Sequence, residues 1–256
     1  GKGVLALGDA RFDQPLQIDT LGATKEMTNR GTRATPGFAP LPATRDEINA
    51  ILKNVREGGT AILGANATKA AFLQESEKAP YRYLHFATHG VVGGEIPRLN
   101  EPALVLTPEP GDPGFLTASE IGRLTVRSDL VVLSACNTGN GEYFNGEGLM
   151  GLGRAFILAG ARAVVVSMWP VDSLTTKELM IHFYLELEKT GDARQALASA
   201  RRAIMGGKGG GAGDSRNLQR LPAKTQEGDF KDRKNPFFWA PFVLIEASTE
   251  PSRQRQ

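Results

Sequence analysis

One thiol is the first residue of this chain that points to chemistry. Cys136 is the only cysteine among 256 residues. It follows a short apolar run, Leu130 to Ala135, with Asp129 before it and Asn-Thr-Gly closing the segment. That pattern predicts a strand buried on both faces. The thiol is then delivered to the carboxyl end of a strand, the edge of an open α/β sheet where ligands bind. Upstream, Arg82 to Gly90 (R-Y-L-H-F-A-T-H-G) reads as a second strand ending in His89 and a glycine. The separation of 47 positions from His89 to Cys136 leaves room for a strand, a crossover and a strand. A thiol and an imidazole on two strand ends of one sheet are a nucleophile and its base. Glycines just beyond each let the backbone approach a substrate and offer N–H groups to a developing oxyanion.

Taken singly, neither residue says much. A lone cysteine commonly serves as a small buried hydrophobe, and a lone histidine as a satisfied core residue. The order and spacing of the two carry the signal, since in caspases the histidine precedes the cysteine by about 50 residues.

Five segments extend that likeness along the chain. They are Leu84–Gly90 (L-H-F-A-T-H-G), Leu133–Gly139 (L-S-A-C-N-T-G), Gly146–Gly153 (G-E-G-L-M-G-L-G), Val166–Asp172 (V-S-M-W-P-V-D) and Phe238–Leu244 (F-W-A-P-F-V-L). In this order they resemble the CHAT family, the caspase-like domains associated with tetratricopeptide repeats, in the clan that holds caspases, metacaspases and separase. The resemblance implies a cysteine endopeptidase with a His89–Cys136 dyad, and so needs no third residue to orient the base. It also implies a repeat-containing sensor region or activating partner, and a protein as substrate.

The elements that must position the pair read as α/β. Val4–Gly8 is a short apolar strand, and 14–42 is a long loop without period. Thr44 with Glu47 predicts a capping box, opening a helix whose apolar face is Ile48, Ile51, Leu52 and Val55. Thr60–Leu63 is a second strand, and Thr68 caps a short helix. After the His89 strand come a strand or hairpin arm at 103–107, a turn-rich stretch at 108–114 and a short capped helix at 117–124. The Cys136 strand is followed by a helix opened by Glu147 and ended by Gly160, then a strand at 163–166. Two long helices and a closing strand at 242–245 complete the chain. Six main strands with crossover helices make a mostly parallel six-stranded sheet flanked by helices. This matches the three-layer caspase-like (caspase-hemoglobinase) fold, in one domain spanning 1–256. The tract at 206–236, which opens G-G-K-G-G-G-A-G, reads as a flexible surface insertion, with gating of the cleft or cleavage as the functional alternative.

Composition narrows the function. With 41% hydrophobic residues and a net charge of +2 spread along the chain, nothing points to nucleic acid or a membrane. No run reaches the roughly 18 apolar residues of a span. A single cysteine cannot form an internal disulfide, so a reducing, cytoplasmic setting is the natural reading. The chain starts at Gly1 without a signal-like pattern and reads as a piece of a longer polypeptide.

Competing motifs fail on physical grounds. Gly146, Gly148 and Gly151 spell the dinucleotide fingerprint, with Asp172 at the distance of a ribose-binding acid, but that motif must turn directly from strand into helix. Here ten residues intervene after the strand. His85 and His89 have the zinc spacing, yet they lie in a strand, where four residues span about 13 Å; the third histidine, His182, is remote in a helix. No metal or cofactor is expected. The glycine tract at 206 lacks the Gly-Lys-Ser/Thr ending of a phosphate loop.

The chemistry expected is peptide hydrolysis. The Cys136 thiolate attacks the scissile carbonyl, and His89 helps ionise the thiol or protonates the leaving amine. The N–H groups of Gly90 and Cys136 hold the oxyanion, each worth roughly 3 kcal/mol. By position at strand ends, Asp9, Ser134 and Asp172 are candidates for binding the P1 side chain. Position 134 corresponds to a pocket residue in caspases and metacaspases, and W-P-V-D resembles the separase segment that supplies an acid for arginine. Many relatives carry a second acid where this chain has Ser173, so basic and apolar P1 residues both stay open. Two other classes stay open as well: a catalytically idle interaction module, and a nucleotide-binding switch.

Overall fold

The computed structural model describes residues 1–12, 38–134, 136–137, 147–169, 173–206 and 235–247. In chain order the elements are β1 (Val4–Gly8), α1 (Ala43–Asn54), β2 (Gly59–Leu63), α2 (Lys69–Lys78), β3 (Tyr83–Ala87), β4 (His89–Val91), β5 (Ala103–Val105), β6 (Phe115–Thr117) and α3 (Ala118–Ile121). Then follow β7 (Leu130–Leu133), β8 (Cys136–Asn137), α4 (Glu147–Leu158), β9 (Ala163–Ser167), α5 (Ser173–Thr190), α6 (Ala193–Met205), α7 (Pro236–Trp239) and β10 (Phe242–Glu246).

Six strands form the central sheet in the order β10-β9-β7-β3-β1-β2, parallel throughout except for β10 against β9. These are the six strands expected from the sequence. Alternation along each strand feeds two cores. Leu5, Leu7, Leu84, Phe86, Val131 and Leu133 face Phe72 of α2, Ile121 of α3 and Leu152 and Phe156 of α4. Val4, Ala6, Tyr83, Ala87, Leu130 and Val132 face Ile48 and Ile51 of α1 and Leu179, Phe183 and Leu187 of α5. Both faces are covered, as a parallel sheet requires, and the result is three layers.

The expected strand from Arg82 to Gly90 is in fact two. β3 ends at Ala87, the Thr88 hydroxyl donates to the Val105 carbonyl, and the chain steps sideways into a second sheet ordered β6-β5-β4-β8. The sequence shows no gap because both halves are buried and no proline or turn cluster marks the step at Thr88. The Thr44–Glu47 capping box also gives way. α1 opens two residues earlier, behind Pro42, and Thr44 turns its hydroxyl back to the Leu41 carbonyl at 2.6 Å. Glu47 points inward instead. The cap at Thr68 and a full capping box at Thr117–Glu120 are present. The tracts at 13–37 and 207–234 lie outside the described residues.

Of the fingerprint glycines, Gly148 and Gly151 lie inside α4, well after β7, so no strand-to-helix turn forms around them. Packing explains two glycines of this stretch: a Cβ on Gly151 would meet Pro102 at 3.3 Å, and one on Gly153 would meet Ile245 at 3.0 Å. Gly160 ends α4 in a Schellman turn. Its N–H reaches the Ile157 carbonyl and that of Ala161 the Phe156 carbonyl, both at 3.0 Å. Its φ is +111°, and a Cβ there would lie 2.5 Å from the Val126 carbonyl oxygen. Gly160→Ala is therefore expected to cost about 1–3 kcal/mol from backbone strain alone, with the clash added. A melting temperature unchanged by the substitution would contradict this turn.

Candidate active site

Parallel strands put their carboxyl ends on one edge, and the sheet order lines up the candidates along it. Asp9 follows β1, His89 follows β3 by one residue, and Ser134 and Cys136 follow β7. Strand order reverses between β1 and β3, the switch point where such sheets open a crevice. In the small sheet β4 runs parallel to β8, with His89 opposite Cys136 and Gly90 opposite Asn137. The backbone thus brings the two candidate positions side by side. Asp172 lies outside the described residues. Just before it, Ser167 bonds the Trp169 carbonyl at 2.7 Å, and the Trp169 indole N–H donates to Phe237 of α7 at 3.0 Å.

His89 is completely buried. Its ring packs in a three-ring cluster with Phe12, 5.1 Å away, and Phe38, stacked at 5.3 Å, which also touch each other at 5.5 Å. Nε2 sits 2.7 Å from the Ala39 carbonyl, which can only accept, so Nε2 carries a proton and Nδ1 is the basic nitrogen of the neutral ring. A backbone carbonyl thus holds this imidazole at the position where a triad would place a carboxylate. Sequence reasoning cannot find this partner, because a carbonyl is not a residue type.

The other candidates have partners of their own. The Asp9 carboxylate accepts from Arg45 Nε at 2.7 Å and from the same guanidinium's terminal nitrogen. Asp9 also adopts φ +50° while its N–H donates to Thr44. Ser134 is 5% exposed; its N–H donates to the Phe86 carbonyl at 3.0 Å and its hydroxyl to Glu47 Oε1 at 3.0 Å.

That last bond belongs to a cluster the sequence reading did not assemble. His85 Nε2 donates to the same Glu47 oxygen at 2.9 Å, and Tyr184 of α5 meets His85 Nδ1 at 3.3 Å. Burial, and after it the Glu47 charge, hold the Tyr184 phenol well above its usual range, so it stays a donor. The group looks like a Ser–His–Glu triad but cannot act as one. Serine and glutamate meet the same imidazole nitrogen, and all these side chains are buried from substrate. One signal was available: a histidine among apolar residues in a strand buried on both faces must find a polar partner. Among the described residues no group of three or more His, Cys, Asp or Glu side chains could hold a metal. A cavity of about 520 Å³ between α2 and the start of β7, lined by Tyr81, Arg123 and Ser128, sits at the opposite sheet edge and includes none of the candidates.

A six-stranded, mostly parallel sheet between two helical layers, with a histidine and a cysteine paired at its carboxyl edge, defines the caspase-like class of α/β folds. Within that class the chain belongs to the CHAT domain family, whose model matches residues 2–247. It is 27% identical over 209 residues to tetratricopeptide repeat protein 28 of Mus musculus and 26% identical to the protein of that name in Homo sapiens. Each match covers 67% of this chain but 8% of the relative, so the chain spans less than a tenth of those proteins. Among the described residues no helix is long and apolar enough to cross a membrane.

Proposed function

We propose that this domain is a cysteine endopeptidase that hydrolyses a protein substrate through Cys136 and His89. The observation that carries the reading is the β4–β8 register, which sets His89 opposite Cys136. A free thiol, with a pKa near 8.5, is only a few per cent thiolate at neutral pH and needs a basic neighbour. Nδ1 of His89, with Nε2 held by Ala39, is such a base. Attack of the thiolate on the scissile carbonyl gives a tetrahedral oxyanion held by the Gly90 and Cys136 N–H groups, and its collapse breaks the C–N bond and leaves a thioester on Cys136. His89 protonates the leaving amine, and water then releases the acyl group. The names of the relatives support a repeat-containing region as the sensor that activates the domain, and the setting we assign is cytoplasmic.

A thiol-directed peptide electrophile tests this directly, because the chain has one cysteine. Stoichiometric labelling at Cys136, lost in His89→Gln, is the expected result. The second reading, an idle interaction module, draws on the complete burial of His89. It predicts slow labelling of Cys136, the same with or without His89.

For the P1 side chain we assign Asp172 as the selector, ahead of the other two candidates, Asp9 and Ser134. Asp9 would have to exchange Arg45 for a substrate cation, and Ser134 has no charge to offer. A carboxylate in a partly desolvated pocket gains from pairing with Arg or Lys. Asp172→Asn is expected to reduce cleavage after basic residues by about 2–3 kcal/mol, one to two factors of ten, and to leave apolar P1 residues unaffected. A P1 library in which wild type prefers Leu or Met removes Asp172 from this role.

A further inference from the structure

Glu47 is 1% exposed, on a helix face otherwise filled by Ile48 and Ile51. Burying a carboxylate costs several kcal/mol unless it is bonded, and an apolar side chain could fill the same space without that cost. What the carboxylate adds is direction, because its two donors come from two different strands. His85 lies on β3, four residues before His89, and Ser134 lies just past β7, two residues before Cys136. Ser134 is bonded to β3 again through its N–H, which donates to the Phe86 carbonyl at 3.0 Å. α1, which carries Glu47, also anchors the segment that orients the base. Thr44 N–H and hydroxyl both donate to Leu41, two residues after the Ala39 carbonyl, and Thr44 accepts from Asp9 at the end of β1.

We propose that Glu47 is the positioning residue of the Cys136–His89 pair: through His85 and Ser134 its buried carboxylate fixes the stagger of the strand leading to the base against the strand leading to the thiol. The proposal rests on the Cys–His reading. Titratable groups facing Glu47 are His85 from β3 and Tyr184 from α5, with Tyr83 and Glu188 further along, acting on Tyr184. The device is local, since each tie ends within four residues of a reacting side chain.

Iodoacetamide alkylation of the single thiol, followed against pH, reads the alignment without needing a substrate. Wild type, Glu47→Gln, Ser134→Ala, the double variant and His89→Gln are compared, each with a thermal melt. Wild type is expected to show a midpoint below the roughly 8.5 of a free thiol. In Glu47→Gln the rate at pH 7 should fall about tenfold, the factor carried by one unit of thiol pKa, and the midpoint should approach that of His89→Gln with a cooperative melt retained. Ser134→Ala should shift in the same direction by less, and the double variant should match Glu47→Gln, as members of one device do. Profiles of Glu47→Gln and Ser134→Ala that superimpose on wild type, with only the melt lowered, overturn the proposal. If Glu47→Gln does not fold, an unshifted Ser134→Ala profile overturns it alone. Coincidence of wild type with His89→Gln is a different failure: it ends the Cys–His reading, and the proposal with it.

Discussion

Cys136→Ala is expected to reduce peptide hydrolysis by at least about 10³-fold, and His89→Gln by a comparable factor, because a nucleophile and its base act as one unit. Glutamine is the better probe at position 89. The imidazole is completely buried and packed against both Phe12 and Phe38, so alanine would leave a cavity and confuse lost chemistry with lost packing. Glutamine keeps most of the volume and can still donate to the Ala39 carbonyl, but it cannot take up a proton. Steady-state kcat/KM on a cleavable peptide, with a melt for each variant, decides the matter. Turnover that survives Cys136→Ala ends the protease assignment. Turnover that survives His89→Gln within about tenfold, while Cys136→Ala is dead, assigns the base to another group.

The parts of this fold that follow a period were legible in the sequence, and the parts that depend on distant partners were not. Leu130 to Leu133 and Ala163 to Val166 are unbroken apolar runs, and both became central parallel strands. Leu149, Leu152 and Phe156 mark the buried face of α4 at helical spacing. By contrast, the break at Thr88 depends on its hydroxyl finding Val105, seventeen residues away, and no local pattern encodes that. Glu47 shows the same limit from the other side. Three residues after a threonine, it satisfies a capping rule, yet the pull of His85 and Ser134 turns it inward. Local propensity proposed one partner, and tertiary burial supplied a stronger one. For the site, the residue types at strand ends were readable, but the orienting carbonyl of Ala39 and the phenyl rings around His89 come from segments far apart in sequence.

Phe86→Ala is expected to be the most destabilising of these substitutions while leaving the chemistry of the folded molecule alone. The ring is completely buried, edge-on to Phe72 at 5.1 Å and tilted against Phe156 at 5.4 Å. Truncating such a phenylalanine costs about 3–5 kcal/mol, a large share of the roughly 5–15 kcal/mol that holds a domain folded. At this chain length that lowers the melting temperature by roughly 6–20 °C, whereas Phe86→Leu, closer in volume, should cost less than about 1.5 kcal/mol. Phe86 and His85 are adjacent on β3 and point to opposite faces, the first into the α2–α4 core and the second toward Glu47. The Phe86 carbonyl, which accepts from Ser134, is kept by the substitution. Well below the melting transition, the pH midpoint for alkylation of Cys136 should therefore stay at the wild-type value in Phe86→Ala and move in Glu47→Gln. If Phe86→Ala moves the midpoint as far as Glu47→Gln does, the shift reports general loosening of β3, and Glu47 has no specific part in aligning the pair.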